Sequence, residues 1–319
     1  MHRLLLLAVA CAVQALAADL RLGLIGLDTS HVTAFTDILN NPAAKGHVPG
    51  ARVVAAFKGG SRDIESSWSR VEEYTQTLTT KHGVRIYDSI PELCKDVDAV
   101  LVESVDGRPH LEQARAVIAA GKPLYIDKPL AGSLRDGMEI FRLAQAANVP
   151  VFTASSLRFA SNTLAVRAGA IGIVTNAVTS SPAHLEPHHP DLFWYGIHGV
   201  ESLFTVMGPG CISVKRGTND TGGIMVTGTW PDGRKGTFSE GKGYTGTAQG
   251  TRGQSAVGSY DGYAPLVAEI VKFLKTRKAP VEPRETLEIL AFMEAADESK
   301  RRNGAEVTLG EVLRKAGGR

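Results

Sequence analysis

The sequence predicts an α/β chain in two parts: a doubly wound parallel sheet, then an α+β unit with an open, mainly antiparallel sheet. Three observations predict it. Short apolar runs alternate with helical patterns up to about residue 154, as a buried parallel sheet with crossover helices requires. After Ser155 the texture changes, and residues 209–262 become rich in Gly, Thr and Ser. A length of 319 residues exceeds one average domain and leaves room for two.

The elements follow in order. Leu22–Gly26 is a short apolar run, the pattern of a strand buried on both faces. A helix is predicted over Thr33–Asn40, and a second strand over Arg52–Phe57. Ser66–His82 carries a helical pattern. Asp98–Val102, Pro123–Ile126 and Val149–Thr153 are three more strands, separated by helices over Leu111–Ala120 and Leu134–Ala147. Gly121 and Asn148 stand where helix ends favour residues that tolerate positive φ. In the second part, Gly223–Trp230 and Lys235–Ser239 flank the turn Pro231-Asp232-Gly233-Arg234 and read as a hairpin. Two helices, Ala264–Thr276 and Arg284–Asn303, close the chain. The predicted organisation is a signal at 1–17, a Rossmann-type dinucleotide-binding domain at 18–154 and an α+β substrate or oligomerisation domain at 155–319.

Composition excludes several classes. Hydrophobic residues at 43% and mixed charges at 21% exclude disorder, collagen and a long coiled coil. A net charge of +2 offers no basic field for nucleic acid. A mean hydropathy of −0.03 argues against a multi-span membrane protein. Three cysteines are too few for a disulfide scaffold, and Cys94 and Cys211 read as structural thiols. Met1–Ala17 reads as a secretory signal: Arg3, the apolar run Leu4–Val13, then Ala15-Leu16-Ala17 as a small-x-small cleavage site. That run is too short to span a bilayer, so no stable membrane span is expected. Export to the periplasm or the extracellular space follows.

The stretch Tyr125-Ile126-Asp127-Lys128-Pro129-Leu130-Ala131 carries a family likeness. So do a first strand ending in Gly26, His110 after the Asp98–Val102 strand, Gly196-Ile197-His198 in the second half, and the closing Val307-Thr308-Leu309. In this order they resemble the Gfo/Idh/MocA oxidoreductases, the glucose–fructose oxidoreductase and inositol dehydrogenase group. The resemblance implies a Rossmann domain with an open second sheet over the nicotinamide, a sugar or cyclitol substrate, NAD(P) and a homo-oligomer. It implies that Lys128 assists proton transfer at the reacting hydroxyl and that His198 is the second acid–base group. It places Asp127 at the cofactor and Arg158 at the substrate. The aspartate expected four residues before the histidine is replaced by Trp194.

The glycine fingerprint also departs from the pattern. Gly26 is present, but Asp28 and His31 stand where the second and third glycines belong. A carboxylate about 4 Å from a pyrophosphate is repelled by roughly 4 kcal/mol at an effective dielectric near 20, so Asp28 must point away, be paired, or displace the phosphates. Thr29, Ser30 and His31 at a helix N-terminus remain candidates for an anion. The second strand runs into Lys58, Ser61 and Arg62 without an acid, which suits NADP better than NAD.

His184-Leu185-Glu186-Pro187-His188-His189-Pro190-Asp191 is the most unusual stretch. It reads as a substrate-contacting loop, with His184 and His188 as its contacts, and no metal ligand is assigned from sequence. Tyr195 suits a sugar-stacking wall, and Glu201 shares a helical face with His198. The leading expectation is an exported sugar or cyclitol oxidoreductase. The alternatives are a redox-silent carbohydrate hydrolase, lyase or isomerase, or a non-catalytic carbohydrate-binding protein, on the same scaffold.

Overall fold

The structure is a computed structural model that describes residues 18–317; the expected signal at 1–17 lies outside the described residues. The first part runs β1 (Leu20–Ile25), α1 (Ser30–Asn40), β2 (Ala51–Phe57), α2 (Glu65–Trp68), α3 (Val71–His82), β3 (Arg85–Tyr87), α4 (Ile90–Lys95), β4 (Ala99–Val102), α5 (His110–Ala119), β5 (Leu124–Ile126), α6 (Leu134–Ala146) and β6 (Val151–Thr153). All six strands are parallel, in the order β3-β2-β1-β4-β5-β6. The strand order reverses between β1 and β4, which opens a ligand-binding crevice at their carboxyl ends. The continuous apolar runs fit this, because every residue of β4, β5 and β6 is buried. Gly121 and Asn148 have φ of +69° and +53°, the left-handed region their positions called for.

The predicted helix over 66–82 is two helices. Ser67 explains the break: its hydroxyl donates to Asp28 and accepts from the Ser61 amide, which ties α2 to the sheet edge while α3 runs on separately. The strand β3 and helix α4 have no counterpart in the sequence reading. Each is too short for a periodicity to register, although Ser89 caps α4 and Pro91 occupies its first turn.

A 3-10 turn at Ser156–Phe159 follows β6, and then α7 (Ser161–Arg167), β7 (Val174–Ser181), α8 (Asp191–Trp194) and α9 (Ile197–Met207). The chain continues through β8 (Ser213–Thr218), β9 (Ile224–Thr229), β10 (Lys235–Glu240), β11 (Thr245–Gly250) and β12 (Gly253–Ala256). It closes with α10 (Ala264–Thr276), α11 (Pro283–Arg301), β13 (Val307–Thr308) and α12 (Leu309–Gly317). The second sheet has the order β12-β11-β7-β10-β9-β8-β13. It is antiparallel except for the central β7–β10 pair, and β9–β10 is the expected hairpin.

Helix α9 positions the site. All eleven of its residues are buried. It lies close on the sheet because Gly199 has no side chain: a Cβ there would meet the Phe238 ring at 2.5 Å. Thr179 Oγ1 donates to the Gly199 carbonyl at 2.8 Å and fixes the register of helix on sheet. Phe204 and Phe238 are fully buried, each worth about 1.5–3 kcal/mol against exposure.

The helix is also tied to the segment by which the chain leaves β6. Glu201 Oε2 accepts from the Ser155 amide at 2.8 Å, and its Oε1 accepts from Arg158 Nε at 2.6 Å. Arg158 Nη1 reaches Glu285 of α11 at 2.8 Å, so one buried guanidinium joins three elements. Removing Glu201 leaves Arg158 Nε and the Ser155 amide buried without their partner, and breaking a buried pair costs about 3–5 kcal/mol. Glu201→Leu is therefore expected to lower unfolding stability by that amount in urea titrations. A loss below about 1 kcal/mol would show that the network does not hold α9 to the segment after β6 and to α11.

Candidate active site

The crevice at the carboxyl edge of the parallel sheet opens into a cavity of about 460 Å³. Its Rossmann wall carries Thr29, the N-cap of α1, with Ser30 and His31 from its first turn, Ser66 from α2, Arg70 just after it, Val105, and Lys128. Its opposite wall carries His184, Trp194, Tyr195 and His198 with Tyr244, Tyr260 and Tyr263. Lys128 and His198 thus face one cavity from the two lobes. Among the described residues no acidic side chain lines it, and its basic side chains besides the histidines are Arg70 and Lys128.

The carboxylates sit beneath this surface. Asp28 is fully buried, accepting from Ser67 Oγ at 2.6 Å and from the Val105 amide at 3.0 Å. Burial pushes its pKa up while these two donors oppose the rise. It is paired and withdrawn, which removes the repulsion expected at the second glycine position. Gly26 is required where it stands: its φ is +88°, and a Cβ would lie 2.5 Å from the Ser104 backbone.

Lys128 follows β5, and its Nζ lies 3.3 Å from Asp127 Oδ2. The loop is braced from below by His110, whose ring nitrogens lie 3.0 Å from the Pro129 carbonyl and 2.8 Å from the Ser104 carbonyl. Asp127 is buried, and burial alone would raise its pKa, but the facing His31 and Lys128 hold it well below the usual carboxylate range. Glu103, at the end of β4, is wholly buried. Burial, and then the charge of Asp127, push its pKa well above the ordinary value.

His198 is presented by the first turn of α9. Its Nδ1 lies 2.7 Å from Ser155 Oγ, and the ring packs edge-on against Tyr195 at 5.1 Å and Tyr244 at 5.8 Å. The other ring nitrogen has no hydrogen-bond partner among the described residues. Burial lowers the imidazole pKa well below 6.5, and the charges of Lys128 and His31 lower it further. Tyr195 and Tyr244 join through their hydroxyls at 2.9 Å.

The remaining expected site residues lie elsewhere. Lys58 pairs with Glu72 at 2.8 Å on the surface, Ser61 donates to Asp106 at 2.5 Å, and Arg62 stacks over Trp68 at 4.8 Å. None of the three lines the cavity, nor do Gly26 and Asp127. Ser61 is consumed by Asp106, whereas Lys58 stays available, since an exposed pair is worth about 0–1 kcal/mol. Arg158 and Glu201 were expected at the substrate. They are instead buried against each other and do not line the cavity, because ion pairing satisfies both charges inside the protein. His184 lines the cavity, but His188 turns to Glu186 at 2.6 Å.

The sequence reading missed Arg70, Glu103, Tyr244, Tyr260 and Tyr263. Glu103 had a signal, an acid at the carboxyl end of a parallel strand. The tyrosines come from glycine-rich loops without periodicity.

The donors fit a dinucleotide on their chemistry. Thr29, Ser30 and Arg70 offer hydroxyls, a helix N-terminus and a cation to phosphates, and Asp28 is held out of the way. Because the folded pKa of His198 is lowered, its stabilising effect is complete above 6.5 and is lost as pH falls toward the folded value. In NMR titrations its ring is therefore expected to remain neutral at pH 6.5, where an exposed histidine is half protonated, and His198→Gln should flatten the loss of stability on acidification. Half-protonation of the native ring at 6.5 would contradict this placement.

Residues 28–155 match the family model described as "Oxidoreductase family, NAD-binding Rossmann fold". The 1,5-anhydro-D-fructose reductase of Ensifer adhaerens is 34% identical over 143 residues, 43% of each chain, so the match spans less than half of that relative. The myo-inositol dehydrogenase of Lactobacillus casei, solved with NAD(H) and myo-inositol, superposes with a TM-score of 0.70 at 17% identity over 91% of this chain and 96% of that one. The apo scyllo-inositol dehydrogenase of Lactobacillus casei superposes with a TM-score of 0.72 at 15% identity over 92% and 99%. At these identities the superpositions establish the shared fold. The family likeness thus rests on residues 28–155, which match the Gfo/Idh/MocA family model, and the superpositions extend the shared fold over 91–92% of the chain.

Proposed function

We propose that the protein is an oxidoreductase acting on a hydroxyl of a sugar or cyclitol derivative with a nicotinamide dinucleotide. The observation that carries this reading is the single cavity faced by Lys128 from one lobe and His198 from the other. The named activity of the Ensifer reductase and the ligands of the inositol dehydrogenase support the substrate class. When bound, the dinucleotide supplies the hydride acceptor or donor.

The chain's own groups do the rest. Thr29, Ser30 and Arg70 hold the phosphates. Lys128 hydrogen-bonds the reacting hydroxyl and carries its proton, with Asp127 fixing the amine's position at 3.3 Å. His198 enters as a neutral imidazole, held at Nδ1 by Ser155, and its other nitrogen serves a second substrate hydroxyl. Tyr195, Tyr244 and Tyr260 give the ring an amphipathic wall, with apolar faces for C–H groups and hydroxyls for O–H groups.

Fluorescence titration of the purified protein with NADH and NADPH tests the reading, followed by a turnover screen over aldoses, anhydro sugars and inositols. Binding of either cofactor with turnover of one such compound is expected. Lys128→Met should then lower kcat by about 10²–10⁴-fold while cofactor affinity changes little. Absence of binding by both cofactors would overturn the redox reading. We also propose export: the apolar leader ending at Ala17 supports it, and mass spectrometry of protein from the native host should find a mature N-terminus at Ala18. A chain retaining Met1 would contradict this.

A further inference from the structure

Where His31 lines the cavity, its ring meets two carboxyl groups that lie behind it. His31 Nδ1 lies 2.9 Å from Asp127 Oδ2 and 3.9 Å from Glu103 Oε2. Their ligand-type atoms all lie within 4.8 Å of one another. None of these close approaches is aligned as a hydrogen bond: His31 Nδ1, Asp127 Oδ2 and both oxygens of Glu103 are buried without a hydrogen-bond partner among the described residues, and Lys128 Nζ stands 3.3 Å from Asp127 Oδ2 on the cavity side. Glu103 is decisive, because a wholly buried carboxylate with neither oxygen satisfied is costly unless a proton or a cation neutralises it.

The spacing suits a cation. Nitrogen and oxygen ligands stand about 2.0–2.2 Å from zinc, so neighbouring ligands around one ion are separated by roughly 3–4 Å. The surroundings hold the three groups toward a common centre. Tyr125 OH lies 3.2 Å from Asp127 Oδ1 and 3.0 Å from the Ala154 carbonyl, so Oδ1 faces the tyrosine while Oδ2 faces the cluster and Lys128. The His31 ring is fixed by stacking on Phe35 at 5.2 Å and by the edge of Tyr263 at 4.8 Å. The three residues come from the start of α1 and the ends of β4 and β5, so a bound ion would tie together the rim of the crevice.

We propose that His31, Glu103 and Asp127 form a divalent-metal site for an ion of the Zn²⁺ or Mn²⁺ class, the ions that one imidazole and two carboxylates suit. The site stands independently of the redox reading. Three protein ligands leave at least one coordination position for water or a substrate oxygen.

The test is calorimetric titration of the chelator-stripped full protein with ZnCl₂ and, separately, MnCl₂, with thermal melting of the same samples. One ion per chain is expected, with a metal-dependent rise in Tm. Glu103→Gln should weaken binding at least 100-fold and abolish the rise, and His31→Gln should do the same, which covers the case in which one variant misfolds. His188→Ala, in the histidine-rich loop, should bind as the parent does. Absence of binding by both ions, or an unchanged affinity in Glu103→Gln, would overturn the proposal and assign Glu103 a proton instead. Loss of binding only in His188→Ala would overturn it by moving the ion to the loop. NADH titration of the stripped and loaded samples reads the redox proposal separately, so either can fail alone.

Discussion

The buried carboxylate of Glu201 is the constraint on which the site depends. One oxygen holds the backbone where the chain leaves β6, and the other holds Arg158, which in turn reaches α11. Glu201 sits one turn after His198 on α9, so the contacts that hold α9 to the segment after β6 also set the height of the imidazole over the sheet edge. Ser155 shows the coupling directly: its amide serves Glu201 and its hydroxyl meets His198. Gly199 lets the helix sink onto the second sheet far enough for this to occur.

Around that tie the cleft is layered by charge. The surface open to ligands carries hydroxyls, imidazoles, aromatic rings and the cations Arg70 and Lys128. The carboxylates Asp28, Glu103 and Asp127 lie one layer deeper, buried at the carboxyl ends of β1, β4 and β5. This order reconciles an acidic fingerprint loop with an anionic ligand: the acid that replaces a glycine is spent on Ser67 and the Val105 amide before it meets any phosphate. It also leaves Glu103 and Asp127 as an inner pair of carboxyl groups, with Lys128 Nζ 3.3 Å from Asp127.

Much of the fold was legible because its signals are local. Apolar runs such as Val100–Val102 announced parallel strands, and Gly121 and Asn148 announced helix ends. The Asp127-Lys128-Pro129 run marked the sheet edge correctly. The parts that escaped depend on contacts distant in sequence. The parallel pairing of β7 with β10 joins segments that no turn connects. Arg158 and Glu201 were visible as charged residues near the site, but their mutual pairing, and the part of Glu285, exist only in three dimensions. Glu103 was passed over for the same reason, since one acid after an apolar strand is unremarkable until its burial and lack of partners are known.

The central claim is that ligands enter one cleft between Lys128 and His198, over the start of α1. A crystal structure of the protein soaked with NADH and an inositol tests it most directly. The account predicts the phosphates against Thr29, Ser30 and Arg70, with the nicotinamide and the cyclitol ring between Lys128 and His198. Density for either molecule elsewhere on the chain, with this cleft still occupied only by solvent, would contradict it.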